Sequence, residues 1–321
     1  QWMAGMDEDL VALFKVYWDN DFKKYKNCRF IICGSISSFI VKKVLQSKAL
    51  YGRVDVEINL QPLSPPEIRS FFPERTSREV LDIALTLGGV PRYLETLNPH
   101  LSFQQNLDEH FFKPTGFFFQ EFNRLFISHF GKSPLYRILI KTLATGPASL
   151  DQLVKACNTT KGASLFSLLE DLILGGFVER SIPFDKKTNS KLIRYRILDE
   201  YLHFYFTFVI PNAPAIANHH FSSQQIALTS LRQWQGYAFE RFCRRHSLII
   251  ADTLRFSGVG FVAGPWFTRD NAHAQCDLVF KRNDHMLTVC ELKYVSRLNG
   301  PALVRDFERR LTLLREAFPD H

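Results

Sequence analysis

The feature that most constrains this chain is a pair of apolar runs near its end, each interrupted by charge. Gln275-Cys276-Asp277-Leu278-Val279-Phe280 and Val289-Cys290-Glu291-Leu292-Lys293 are built mainly of strand-forming residues, yet the first holds an aspartate and the second a glutamate and a lysine. Period-2 alternation puts Glu291 and Lys293 on one face of their strand and Cys290 and Leu292 on the other. The polar stretch Arg282-Asn283-Asp284 reads as a turn, and a hairpin centred on position 284 sets 277 opposite 291. Two carboxylates then face each other at about 5 Å, the spacing across a ladder. Like charges so placed oppose each other's ionisation unless a cation relieves them.

Mg²⁺ takes one or two carboxylates and fills its remaining positions with water and phosphate oxygens. Asp277 and Glu291 are therefore the expected metal ligands, with Lys293 placed to hold an attacking water or charge developing on a phosphate. Glu240, on the helix-forming stretch Gly236-Tyr237-Ala238-Phe239-Glu240, adds a further acid. The order Glu240, Asp277, Glu291-Leu292-Lys293 resembles the PD-(D/E)XK nuclease superfamily, and Gly236 to Glu240 is similar to the helix that opens that fold. The resemblance implies a Mg²⁺-dependent DNA-cleaving domain over 234–321 with Glu240, Asp277, Glu291 and Lys293 as its catalytic residues. One departure is that the superfamily core usually has a strand after the final helix, where this sequence reads Phe318-Pro319-Asp320-His321. The other reading of the same residues is an exposed strand face on which Glu291 and Lys293 pair with each other.

Towards the front, Asn27 to Cys33 is a short apolar run ending at Gly34-Ser35, as in a buried strand of a parallel sheet. A helical stretch from about Ser38 to Leu45 and an alternating strand, Val54 to Leu60, complete a β-α-β rhythm. Ser64-Pro65-Pro66-Glu67 signals a helix start, and helices are expected to about Phe130, broken at Gly88-Gly89-Val90-Pro91. Four pieces in order, Phe30 to Ser35, Leu50-Tyr51-Gly52-Arg53, Leu60 to Ser64 and Gly88 to Leu94, resemble the rear half of archaeal-type ATPases of the AAA+/STAND group. The resemblance implies Ser35 near the γ-phosphate, Arg53 as a charge clamp, and Gly89 and Pro91 beside the nucleotide base, with ATP and Mg²⁺ bound by the full-length protein.

A P-loop needs G-x-x-x-x-G-K-[ST], whose backbone N–H groups and lysine hold the phosphates. Gly131-Lys132-Ser133 ends like one, but Phe126 stands where the first glycine belongs. In the resembled family an acidic magnesium motif commonly precedes a Gln-Trp like Gln1-Trp2. The sequence is accordingly expected to be a piece of a longer ATPase, and alone not to hydrolyse ATP.

Residues 133–200 read as three helices and a two-stranded ribbon, a winged helix. The wing tip, with Lys186, Lys187 and Lys191, is suited to DNA phosphates, whereas the second helix of the pair, Gly162 to Asp171, lacks Arg, Lys, Asn and Gln and is not suited to base readout. Residues 201–233 read as a linker whose aromatic run, Tyr201 to Phe208, joins domains. The expected fold is thus α/β and multidomain: 1–62 the rear of a P-loop ATPase core with a parallel-sheet remnant, 63–132 a helical lid, 133–200 the winged helix, 201–233 the linker, and 234–321 the nuclease-like α/β domain.

The net charge of +8 accumulates rearward, with 16 basic and 15 acidic residues in 1–133, 10 and 7 in 134–230, and 14 and 10 in 231–321, which suits a DNA partner held through phosphates. Six scattered cysteines in apolar surroundings without a CxxC pair fit reduced core thiols in a cytoplasm, and a zinc reading of His273, Cys276, His285 and Cys290 is set aside because both cysteines lie in strand-like runs. No apolar run reaches the roughly 20 residues of a membrane helix. Two functions follow from these residues: an ATPase with a DNA-cleaving rear domain, and a nucleotide-switched DNA- or protein-binding module built on a degenerate nuclease scaffold, an oligomer being compatible with either.

Overall fold

Prolines and small hydroxyl residues set most of the helix starts, because both tolerate the orphan N–H groups of a first turn. The computed structural model describes residues 10–34, 48, 50–130, 133–160, 162–181, 193–267, 275–295, 297 and 300–320, excepting the side chains of 126–130 and 302. In chain order the helices are α1 (Leu10–Asn20), α2 (Pro65–Phe71), α3 (Ser77–Leu87), α4 (Pro91–Thr96), α5 (Phe103–His110), α6 (Phe117–Phe130), α7 (Pro134–Ala144), α8 (Leu150–Ala156) and α9 (Ala163–Leu174). The ribbon β1 (Val178–Ser181) and β2 (Arg194–Ile197) follows, then α10 (Glu200–Phe204), α11 (Ala213–Ala217), α12 (Leu228–Arg245) and α13 (Ser247–Thr253). Strands β3 (Phe261–Phe267), β4 (Gln275–Arg282) and β5 (Leu287–Cys290) and helix α14 (Gly300–Ala317) complete the order. The chain is mixed α/β and packs as two units, Gln1–Gln61 with Glu121–Arg180 and Tyr195–Asp199, and Pro62–Gln120 with Ser181–Arg194 and Glu200–His321.

In the first unit α7, α8 and α9 enclose a core of Leu139, Ile140, Leu143, Leu153, Leu165, Leu169 and Leu172, each at most 2% exposed. Leu165, Leu169 and Leu172 recur at i, i+4 and i+7, one face of a helix. Ser149 caps α8 in a reciprocal box with Gln152, and Ala148 exchanges backbone hydrogen bonds with Tyr195 at 2.9 and 2.8 Å beside the β1–β2 ribbon. The segments 28–33 and 54–60 carry no strand: the described residues contain only antiparallel sheets, and Ile31, Val56, Ile58 and Leu60 stand 73–87% exposed. This corrects the expected parallel-sheet remnant. An apolar run becomes a strand only where a neighbour supplies ladder hydrogen bonds, and these two segments find none among the described residues. The helix expected over 38–45 lies outside the described residues.

In the second unit the chain breaks between α3 and α4 at Gly88-Gly89, as the sequence predicts, and α2 starts with a capping box between Ser64 and Glu67. The stretch read as a linker is mostly helical. Tyr201, Phe204 and Phe208 pack with Phe111, Phe118 and Trp234, and the Tyr201 hydroxyl donates to the Phe118 carbonyl at 2.8 Å, so burial of aromatic surface orders it. α12 begins at Leu228, so the boundary expected at 234 falls inside one continuous helix, and 247–253 is helical too.

The antiparallel sheet runs β3-β4-β5. Both faces of central β4 are covered: Cys276 and Val279 pack with Trp266 and Leu314, while Leu278 and Phe280 pack with Ala251 and Phe256. The register between β3 and β4 slips between Gly264 and Trp266, where Pro265 has no N–H to offer the ladder.

Candidate active site

The β4–β5 ladder pairs Lys281 with Leu287, Phe280 with Thr288, Val279 with Val289 and Leu278 with Cys290, the register of a hairpin centred on 284. One step further along, Asp277 and Glu291 occupy opposite positions where the ladder ends. Asp277 closes that end by accepting the Leu292 N–H on Oδ2 at 2.9 Å. Lys293 lies between the acids, its Nζ 2.5 Å from Glu291 Oε1 and 3.6 Å from Asp277 Oδ2. The Asp277 and Glu291 side chains are 6% and 8% exposed, against 38% for Lys293. Burial of Glu291 excludes the solvated strand face that was the other reading of this pair. The lysine is the part of the cluster that meets solvent.

Burial would lower Lys293, but its hydrogen bond to Glu291 and the charge of Asp277 outweigh that and hold it above the usual lysine value. It is an ammonium at neutral pH. Glu240, on α12, pairs with Arg244 one turn on at 3.5 Å, and Arg244 Nη1 donates to the Asp277 carbonyl at 3.4 Å. Burial raises the Glu240 carboxyl and the neighbouring Asp277 charge raises it further, against the opposing pull of Arg244 and Lys293. The structure therefore brings Glu240, Asp277, Glu291 and Lys293 into one cluster.

Glu291 is committed more fully than the sequence indicates. Arg310, on α14, forks onto both its oxygens at 2.7 and 3.2 Å and donates to the Gln275 carbonyl at 2.8 Å, with Asp306 holding the guanidinium from one turn earlier. Both Glu291 oxygens are bound to Arg310 and one also to Lys293, so a cation there would displace one of these partners. Arg310 lies 19 positions from Glu291 and meets it only through folding, so strand periodicity carries no signal for it. Asp277 is different. Its Oδ1 accepts no hydrogen bond among the described residues, and its charge already strains Glu240. Asp277 could thus hold a cation needing one or two carboxylates, with Glu240 near enough to feel its charge. No group of three or more His, Cys, Asp or Glu gathers at metal-binding distance among the described residues.

A second cluster, missed by the sequence reading, abuts the first. Asp82 on α3 accepts hydrogen bonds from Gln235 Nε2 and from the Tyr294 hydroxyl, both at 2.7 Å. Arg78, one turn earlier on α3, lays its guanidinium 3.4 Å from the Tyr294 ring centroid, and Phe239 packs 5.3 Å from the same ring. Burial raises the Asp82 carboxyl despite both hydrogen bonds, and burial with the Asp82 contact pushes Tyr294 well above its ordinary value. An acid on α3 followed by two hundred residues of chain gives no sequence signal of this contact.

The nucleotide-site expectations fare differently. Arg53 binds Asp19 of α1 through two hydrogen bonds at 3.0 and 2.7 Å. Gly89 needs its missing side chain for packing, since a Cβ there would stand 2.2 Å from the Leu63 carbonyl oxygen, and Leu63 N–H donates to the Gly89 carbonyl at 2.7 Å. Pro91 opens α4 at a position where its lack of an N–H costs nothing. Ser35 and the wing lysines Lys186, Lys187 and Lys191 lie outside the described residues. All six cysteines are free thiols, but Cys33 is exposed where a core thiol was expected.

No helix among the described residues is long and apolar enough to cross a membrane. No protein-family model matches the chain. Over 288 residues, 89% of this chain, it is 28% identical to an uncharacterized protein of Methanocaldococcus jannaschii, MJECL04, and spans 64% of that protein's length.

Proposed function

We propose that the segment from α12 to α14 is a metal-dependent DNA phosphodiesterase site of the PD-(D/E)XK type, carried by a protein whose remaining parts are an AAA+/STAND-like ATP-binding module and a winged helix. The single observation that carries this reading is the convergence of Asp277, Glu240 and an exposed, protonated Lys293 at the end of one ladder. Asp277 and Glu240 would hold one Mg²⁺, which supplies charge neutralisation at the phosphate.

The chain's own residues divide the remaining work. Lys293 stays charged, so it acts as a donor to the phosphate or the attacking water and not as a base. Glu291, fixed by Arg310, aims that ammonium. As water forms a bond to phosphorus it sheds a proton to solvent, and the sugar oxygen whose bond breaks takes one up. Products are a terminal phosphate and a hydroxyl. The α7-to-β2 segment supports the winged-helix part through its element order and the Ala148–Tyr195 pairing.

The saturation of Glu291 by Arg310 and Lys293 favours a second reading, a nuclease scaffold that binds without cutting. Nicking of supercoiled plasmid with Mg²⁺ separates the two. Cleavage by the wild-type chain that falls about 10²–10³-fold in Lys293→Ala and Asp277→Asn supports the enzyme. Equal traces for all three proteins support the scaffold.

A further inference from the structure

We propose that Asp82 is a positioning residue for the candidate site, making helix α3 part of it. Resting on the phosphodiesterase reading, this assigns that site a support from the neighbouring helix. Two elements carry the reactive groups: α12 bears Glu240, and the strand end after β5 bears Glu291 and Lys293. Asp82 is hydrogen-bonded to both. Gln235 lies five residues before Glu240, about 7.5 Å along the α12 axis, and Tyr294 directly follows Lys293.

One carboxylate thus ties the helix to the strand end through two bonds of 2.7 Å. Arg78, at i−4 on the same face of α3, stacks on Tyr294 from one side while Phe239, the residue before Glu240, packs against it at 5.3 Å. The ring next to Lys293 is therefore held by α3 and α12 together. A partly buried acid costs more than an apolar residue of that size unless its partners are met, and what it supplies in return is a unique arrangement of those partners.

The test uses the whole chain and two near-isosteric changes, Tyr294→Phe and Asp82→Leu, each removing hydrogen bonding without a cavity. Mg²⁺-dependent nicking, Mn²⁺ affinity and Tm are measured on each. The expected result is a fall in kcat of about tenfold with KM for DNA within twofold, and a double variant no slower than either single one, since both break one tie. With Lys293→Ala in place, Tyr294→Phe should cost no further rate. An active wild type whose two variants nick within twofold of it overturns the positioning role and leaves the phosphodiesterase reading standing. A wild type that neither nicks nor binds Mn²⁺ overturns both.

Discussion

Replacing Arg310 by methionine keeps the apolar stem and removes the fork on Glu291. Both partners are largely withdrawn from water, at 13% and 8% side-chain exposure. Removing one member of such a pair ordinarily costs roughly 3–5 kcal/mol, because the other is left charged and unmatched. Glu291 here keeps Lys293 at 2.5 Å, so part of that cost is avoided and about 2–3 kcal/mol is expected. For a unit of nearly 200 residues this lowers Tm by about 5–10 °C, at roughly 2–4 °C per kcal/mol. The sign of the metal response is the sharper readout. With its oxygens released, Glu291 becomes available to a cation, so Mg²⁺ should raise the variant's Tm by more than it raises the wild type's. Thermal melts at several Mg²⁺ concentrations measure both effects, with Arg310→Lys as a control that keeps charge without the fork. A variant with unchanged Tm and an unchanged Mg²⁺ response would refute the claim that Arg310 occupies Glu291.

Further outcomes follow from other contacts. Glu240 is raised in the folded state, so its ionisation opposes folding above its folded pKa and has no effect below the ordinary 4.5; Glu240→Gln should therefore stabilise the chain at pH 7 and lose that advantage as urea melts are taken towards pH 4. Gly89→Ala should lower stability by about 2 kcal/mol or more with or without nucleotide, because the new Cβ would meet the Leu63 backbone; a neutral Tm would show that the 62–63 segment yields. Arg53→Ala breaks a solvent-screened pair with Asp19 and should leave Tm nearly unchanged, and a large fall would show that the pair holds α1 in place. DNA binding should weaken steeply as salt rises, measured by fluorescence anisotropy, and a flat salt dependence would remove the phosphate-contact role of the basic rear.

What the sequence carried was local. The hairpin about 284 was readable because ten or so residues hold both the alternation and the turn, and so opposed Asp277 to Glu291 before any coordinates. Helix starts at Ser64 and Ser149 were readable for the same reason, since cap and partner stand three residues apart. What the sequence hid was distant: Arg310 reaching Glu291 from α14, and Asp82 reaching Tyr294 from α3, are contacts that no period predicts. The two front strands failed in the opposite way. Residues 27–33 have the composition of a buried strand and 54–60 the alternation of a half-buried one, but neither pattern provides the neighbour that a strand needs. Likewise the aromatic run 201–208 was readable as buried, though not as continuous helix.

Soaking crystals of the chain in Mn²⁺ and locating the ion by its anomalous scattering would place the cation directly. An ion against the carboxylates of Asp277 and Glu240, with Glu291 still held by Arg310, is the predicted result. An ion bound at Glu291 without Asp277, or none at the end of the β4–β5 ladder, would contradict the account.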